Sequence, residues 1–174
     1  MILLKVNPVN CFLFSALIFT ACNHENWEEE SNKSSEQKNS KTYQLVDSAL
    51  WPHFETFEQV AFKRGIDLDL RELEVTGAIS DIPEANVAGT CRYCTHIHQV
   101  TIDRSYWNSA SHLQREMVVF HELGHCVLAI SHRESDNGEG LCLSIMNSGT
   151  TNCRVAYTSQ NREYYLDELF KDVN

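Results

Sequence analysis

Apolar residues recur along the chain in patterns that mark helices and strands. From Tyr43 to Arg64, residues Leu45, Val46, Ala49, Leu50, Phe54, Phe57, Val60 and Ala61 keep a helical period, and Gly65 stands where the helix would stop. Pro52 falls early in that helix or breaks it. Glu74 to Ile79, Gly89 to Cys94 and Ile97 to Asp103 read as strands, the last carrying Ile97, Val100 and Ile102. Ser111 to Gln114 forms a capping box that opens a long apolar helix running to about Ile130. Tyr157 to Phe170 reads as a closing helix capped by Thr158 or Ser159. Helix, small sheet, long helix, loop region and final helix, in that order, predict an α+β domain over residues 43–174.

The N-terminal pattern is different. One lysine, Lys5, precedes the apolar run Cys11 to Ala21, broken only by Ser15 and Thr20. That run is short for a bilayer span and fits the core of a secretory signal over residues 1–21. Phe19-Thr20-Ala21-Cys22 resembles a bacterial lipobox, which implies cleavage before Cys22 and lipidation of its thiol. An ordinary signal peptide or a retained anchor are the alternatives, and all three export the protein. Residues 22–42 are rich in Glu, Asn, Ser and Lys, a composition that buries too little surface to offset chain entropy and predicts a disordered tether. The Glu28 to Glu30 cluster resembles lipoprotein surface-export signals, with a solvated spacer as the alternative. The expected location is therefore a bacterial membrane, on its periplasmic or cell-surface face.

Charge narrows the partners. The chain carries 14 Lys and Arg against 24 Asp and Glu, a net charge of −10, which argues against nucleic acid. No internal repeat is visible, and a monomer is expected.

The chemistry concentrates in Val118 to His132, VVFHELGHCVLAISH. His121, Glu122 and His125 form an H-E-x-x-H motif. On a helix its two histidines project from one face, one turn apart, as a two-nitrogen metal clamp. Zinc accepts imidazole nitrogen at about 2.0 to 2.1 Å, and a catalytic site uses three protein ligands and keeps one vertex for water. Glu122 flanks that vertex as the base for a zinc-activated water. Val118, Val119 and Phe120 before the motif and Val127, Leu128 and Ile130 after it bury the helix, and Gly124 leaves room for close packing.

His132 follows as a candidate third ligand, and Ser144-Ile145-Met146 lies downstream. Here the chain resembles the metzincin metallopeptidases. The resemblance implies a small metzincin-like zincin domain with a short mixed sheet, a long zinc helix and a C-terminal helix. It also implies one Zn²⁺ held by His121, His125 and His132, Glu122 as general base, and Met146 in a methionine turn beneath the metal. The usual pattern is H-E-x-x-H-x-x-G-x-x-H. Here six residues separate the second and third histidines, and Leu128 stands where the glycine would bend the chain. The extra residue must make the turn another way. From about Tyr43 the chain is also similar to small zinc peptidases among bacterial exported lipoproteins that share the F-H-E-L-G-H-C run and a later S-I-M.

The function this implies is zinc-dependent hydrolysis of a peptide or protein substrate. Two alternatives stand beside it: a peptidase whose third ligand is a distant glutamate such as Glu163, and a lipoprotein that binds zinc or a partner without turnover. The strand Val100 to Asp103 is expected either to edge the cleft and pair with substrate, as an edge strand does in metzincins, or to lie inside the sheet. The first tyrosine after Met146 is Tyr157, too distant to assign to the oxyanion.

Seven cysteines include Cys11 and Cys22 of the leader. A Cys142–Cys153 bridge would stiffen the methionine turn. Cys126 is either a packed apolar residue or bonded across the core. Cys91, Cys94, His96 and His98 have spacing for a second metal, with oxidised thiols and solvated histidines as the alternative. Asp136 to Gly140 suggests calcium ligands or, more simply, a charged turn. His24, His53 and His112 read as surface residues.

Overall fold

In a computed structural model of the chain, which describes residues 42–94, 97–139, 141–148 and 156–173, the first helical pattern divides. The expected signal peptide, Cys22 and residues 23–41 lie outside the described residues. Residues 43–47 are not helical, as their period suggested, but join the sheet. Val46 bridges Gly77 in parallel, Asp47 N–H donates to Gly77 O (2.8 Å), and Gly77 N–H donates to Leu45 O. A 3₁₀ turn over Ser48–Leu50 is capped by the Asp47 carboxylate and leads into α1, Trp51–Lys63. Pro52 sits in the first turn of α1, where its missing N–H has no helical acceptor to lose. Gly65, at φ +81°, ends the helix where the sequence placed a stop.

Three strands follow: β1 (Val75–Ser80), β2 (Gly89–Cys94) and β3 (Ile97–Asp103). Their order is β1-β3-β2, with β1 parallel and β2 antiparallel to β3, so the sheet is small and mixed. Alternation gives it one apolar face, with Val75, Gly77 and Ile79 of β1 in register with His98, Val100 and Ile102 of β3. Thr76, Gln99 and Thr101 point the other way. β3 is the interior strand, so it is not the cleft edge; that position belongs to β2.

Asp103 ends β3 and caps the short helix α2 (Arg104–Ser109), accepting from Tyr106 N–H. The Ser111/Gln114 capping box then starts α3 (His112–Cys126), with both reciprocal hydrogen bonds present. α3 stops at Cys126, short of Ile130, because Ala129 adopts φ +54°. The final helix α4 spans Arg162–Phe170 with Asn161 at its N-cap, later than the expected start at Tyr157, because Thr158 turns back to bond Asn161 Oδ1.

α1 covers β1 so closely that a Cβ on Gly77 would lie 3.0 Å from Leu50 and 3.1 Å from Phe54. α3 covers β2 and β3, and Phe57 of α1 meets Phe120 of α3 edge-on at 5.1 Å. α4 packs on both helices through Phe170 and Leu169. The result is an α+β domain whose buried core lies between one sheet face and the helices.

Candidate metal centre

Helical periodicity brings His121 and His125 together. Their rings meet edge-on at 4.7 Å, and the turn after α3 returns His132 to the same point. The Nε2 atoms form a triangle with edges of 3.1, 3.1 and 3.3 Å. Two of the tautomers follow from the outer nitrogens. His121 Nδ1 lies 2.8 Å from Ile145 O, and His125 Nδ1 lies 2.6 Å from Ile130 O. A carbonyl oxygen only accepts, so each Nδ1 carries the proton and each neutral ring turns an Nε2 lone pair inward. Lone pairs facing one another at this distance repel unless a cation lies between them. Ligands about 2.0 to 2.1 Å from a tetrahedral zinc stand about 3.3 to 3.4 Å apart, close to the observed edges. The three histidines can therefore hold a metal ion. Burial holds the His121 imidazole down to about 4 and lowers that of His125 as well, which keeps both neutral and ready to ligate.

The departure from the metzincin spacing has a structural answer. The left-handed turn residue is Ala129, one position later than the usual glycine, and it precedes His132 by the same three residues. The extra residue falls in the turn between Cys126 and Ala129, and Ile130 N–H reaches back to Gly124 O (3.0 Å).

Beneath the histidines Met146 is fully buried, and a Cβ on Gly124 would stand 2.6 Å from its sulfur. Any larger residue at that point would have to displace the end of the methionine side chain. The turn is braced from α4. Ser144 Oγ donates to Glu168 Oε2 (2.6 Å), Arg133 Nη1 donates to Glu168 Oε1 (2.6 Å), and Arg133 N–H donates to Met146 O (2.9 Å). Residue 133 follows the third histidine directly, so this network fixes both the floor and His132.

Glu122 is 5% exposed, and burial alone pushes its carboxyl up to about 8. A Cβ on Gly89 would lie 2.8 Å from Glu122 Oε1, so the start of β2 closes on this carboxylate. Histidines and Glu122 line one cavity of about 510 Å³, walled by β2 on one side and by Met117, Val118, Ile145 and Tyr106 elsewhere. The outer edge of β2, which pairs with no strand among the described residues, lines it. Asp103 N–H donates to Ala88 O, which makes Ala88 and Asp103 a hydrogen-bonded pair. Alternation along the antiparallel register then directs the backbone N–H and C=O of Gly89, Cys91 and Tyr93 away from β3.

Other candidates fall elsewhere. Cys91 is bonded to Cys126, which removes the proposed Cys91/Cys94/His98 metal clamp; His96 lies outside the described residues. Cys142 is disulfide-bonded, and Cys153 lies outside the described residues. Asp136 and Asn137 spend side-chain oxygens on the N–H groups of Gly138 and Glu139, which is a charged turn. Among the described residues the histidine triad is the one group suited to a metal. Glu163 pairs with Arg64 and Arg162 and does not join the triad. Tyr157 donates to Glu116 Oε1 (2.6 Å). His112 is exposed as expected, but His53 is buried against Trp107; His24 lies outside the described residues.

Two features of the site carry no signal in the sequence, the Ala129 turn and the Glu168 brace. The Cys91–Cys126 bond falls on the expected alternatives of Cys126 bonded across the core and oxidised thiols at Cys91 and Cys94, although its pairing was not legible.

No family model, curated protein or solved structure matches this chain.

Proposed function

We propose that residues 43–174 form a zinc-dependent endopeptidase domain of metzincin type, with His121, His125 and His132 as ligands and Glu122 as general base. The observation that carries this reading is the meeting of three inward Nε2 atoms with a buried carboxylate in one open cleft. A structural zinc site needs a fourth protein ligand and no base. When bound, zinc supplies Lewis acidity, polarising a carbonyl and making a water more acidic.

The chain does the rest. An extended peptide adds to the free edge of β2 through Gly89, Cys91 and Tyr93, which lays a scissile bond along the cavity. Glu122 takes a proton from the attacking water and returns it to the leaving amine. Its high proton affinity when buried makes it the stronger base for the first transfer, and zinc held by the three histidines would keep it ionised before that step. Tyr157 is held by Glu116, so stabilising the developing oxyanion is chemistry that zinc bound by the three histidines would supply. Two disulfide-bonded positions in the sheet and the methionine region suit an oxidising compartment, and we extend the proposal to export with a lipid on Cys22.

The test is Glu122→Gln. It should keep stoichiometric zinc and lose about 10²- to 10⁴-fold of turnover on a denatured protein substrate. Zinc-loaded wild-type protein inert towards a broad peptide library would leave a binding role instead.

A further inference from the structure

β2 is the strand on which the proposed peptide would pair, and it lies close along α3 while contributing few side chains to that contact. The positions that face the helix are Gly89, Cys91 and Tyr93, because Cys91 bonds Cys126 and side chains alternate. Gly89 has no side chain, and Tyr93 is 59% exposed. Cys91 is left as the one helix-facing side chain of β2 packed against the core. Its partner Cys126 directly follows the ligand His125 and closes α3.

Two contacts set the course of the strand along the helix. Gly89 abuts Glu122, and Cys91 is bonded to Cys126. Four helical residues advance about 6 Å and two strand residues about 7 Å, so both contacts fit one parallel course. The metal clamp lies beside that interval. From this geometry we infer that the Cys91–Cys126 bond is a positioning device for substrate, holding the free edge of β2 at a fixed distance from the metal. The inference rests on the peptidase reading, in which that edge binds the peptide backbone. Without the bond, β2 keeps its ladder to β3 but its distance from α3 depends on a glycine and an exposed tyrosine. Ligation does not require the bond, since His121 and His125 are set by the Ile145 and Ile130 carbonyls.

The test compares two zinc ligands on the full zinc-loaded chain. Acetohydroxamate probes the metal alone; an alanyl-leucyl peptide hydroxamate probes metal and strand edge together. In Cys91→Ser/Cys126→Ser, and in Cys91→Ala/Cys126→Val, which retains apolar volume, zinc content and acetohydroxamate affinity should stay within about twofold. Peptide hydroxamate affinity should fall about tenfold, the worth of one or two backbone hydrogen bonds, and KM for a peptide should rise more than kcat falls. Equal loss of both hydroxamates, unchanged peptide hydroxamate binding, or failure of both variants to load zinc would each overturn the positioning role. A wild-type protein that binds the peptide hydroxamate no better than acetohydroxamate would instead contradict the peptidase reading.

Discussion

His53 shows how burial converts a side chain's proton affinity into a dependence of stability on pH. It packs edge-on against Trp107 at 5.5 Å and lies 5.2 Å from the His112 ring. Burial, and then the neighbouring His112, hold its imidazole down to about 4, with Glu116 opposing and Arg115 assisting. In the unfolded chain a histidine titrates near about 6.5. Between those values the unfolded state binds a proton that the folded state refuses, so stability is full above about 6.5 and is lost as pH falls towards 4. His121 acts in the same direction in metal-free protein. Glu122 acts oppositely, because its folded affinity is raised and its contribution is lost as pH rises from the ordinary carboxyl range towards 8. Denaturant titrations of metal-free protein at pH 7 and pH 5 should show His53→Phe losing about 1 to 2 kcal/mol less than wild type on acidification. Equal losses would mean that His53 is not the buried neutral group described.

Among the elements, α4 braces the segments on either side of the histidine triad, a link that its distance in sequence conceals. Glu168 holds Ser144 on one side and Arg133 on the other, and through them the methionine turn and His132. Supports of this kind are typically worth about 10- to 100-fold in metal affinity. Glu168→Ala should weaken zinc by that amount in chelator competition while leaving α4 helical by circular dichroism; unchanged affinity would show that His132 positions itself. Such long-range braces are where reading the sequence fell short. Three of the four helices, the limits of β2 and β3, β1 to within one residue, and the capping box were legible, because periodicity and caps are local, whereas the short α2 was not. H-E-x-x-H was legible for the same reason. The neighbour of each strand was not, since a period of two assigns a face and not a partner, and β2 rather than β3 edges the cleft. The end of α3 was overrun because Leu128 and Ile130 continue the apolar pattern past the point where Ala129 turns the backbone. Cys126 was left as packed or bonded because spacing alone does not pair cysteines.

At the scale of the molecule, the sheet presents one face to the helices and one edge to the cleft, and the histidine triad sits where that edge meets α3. The net charge of −10 gives the chain an acidic character that disfavours polyanions. The proposed chemistry depends on whether the three inward nitrogens take a cation. Calorimetric titration of Zn²⁺ into metal-free full-length protein measures this directly. The account predicts one zinc per chain at wild type, and affinity reduced by orders of magnitude in His132→Ala. Absence of a stoichiometric site, or zinc binding indifferent to His132, would contradict it.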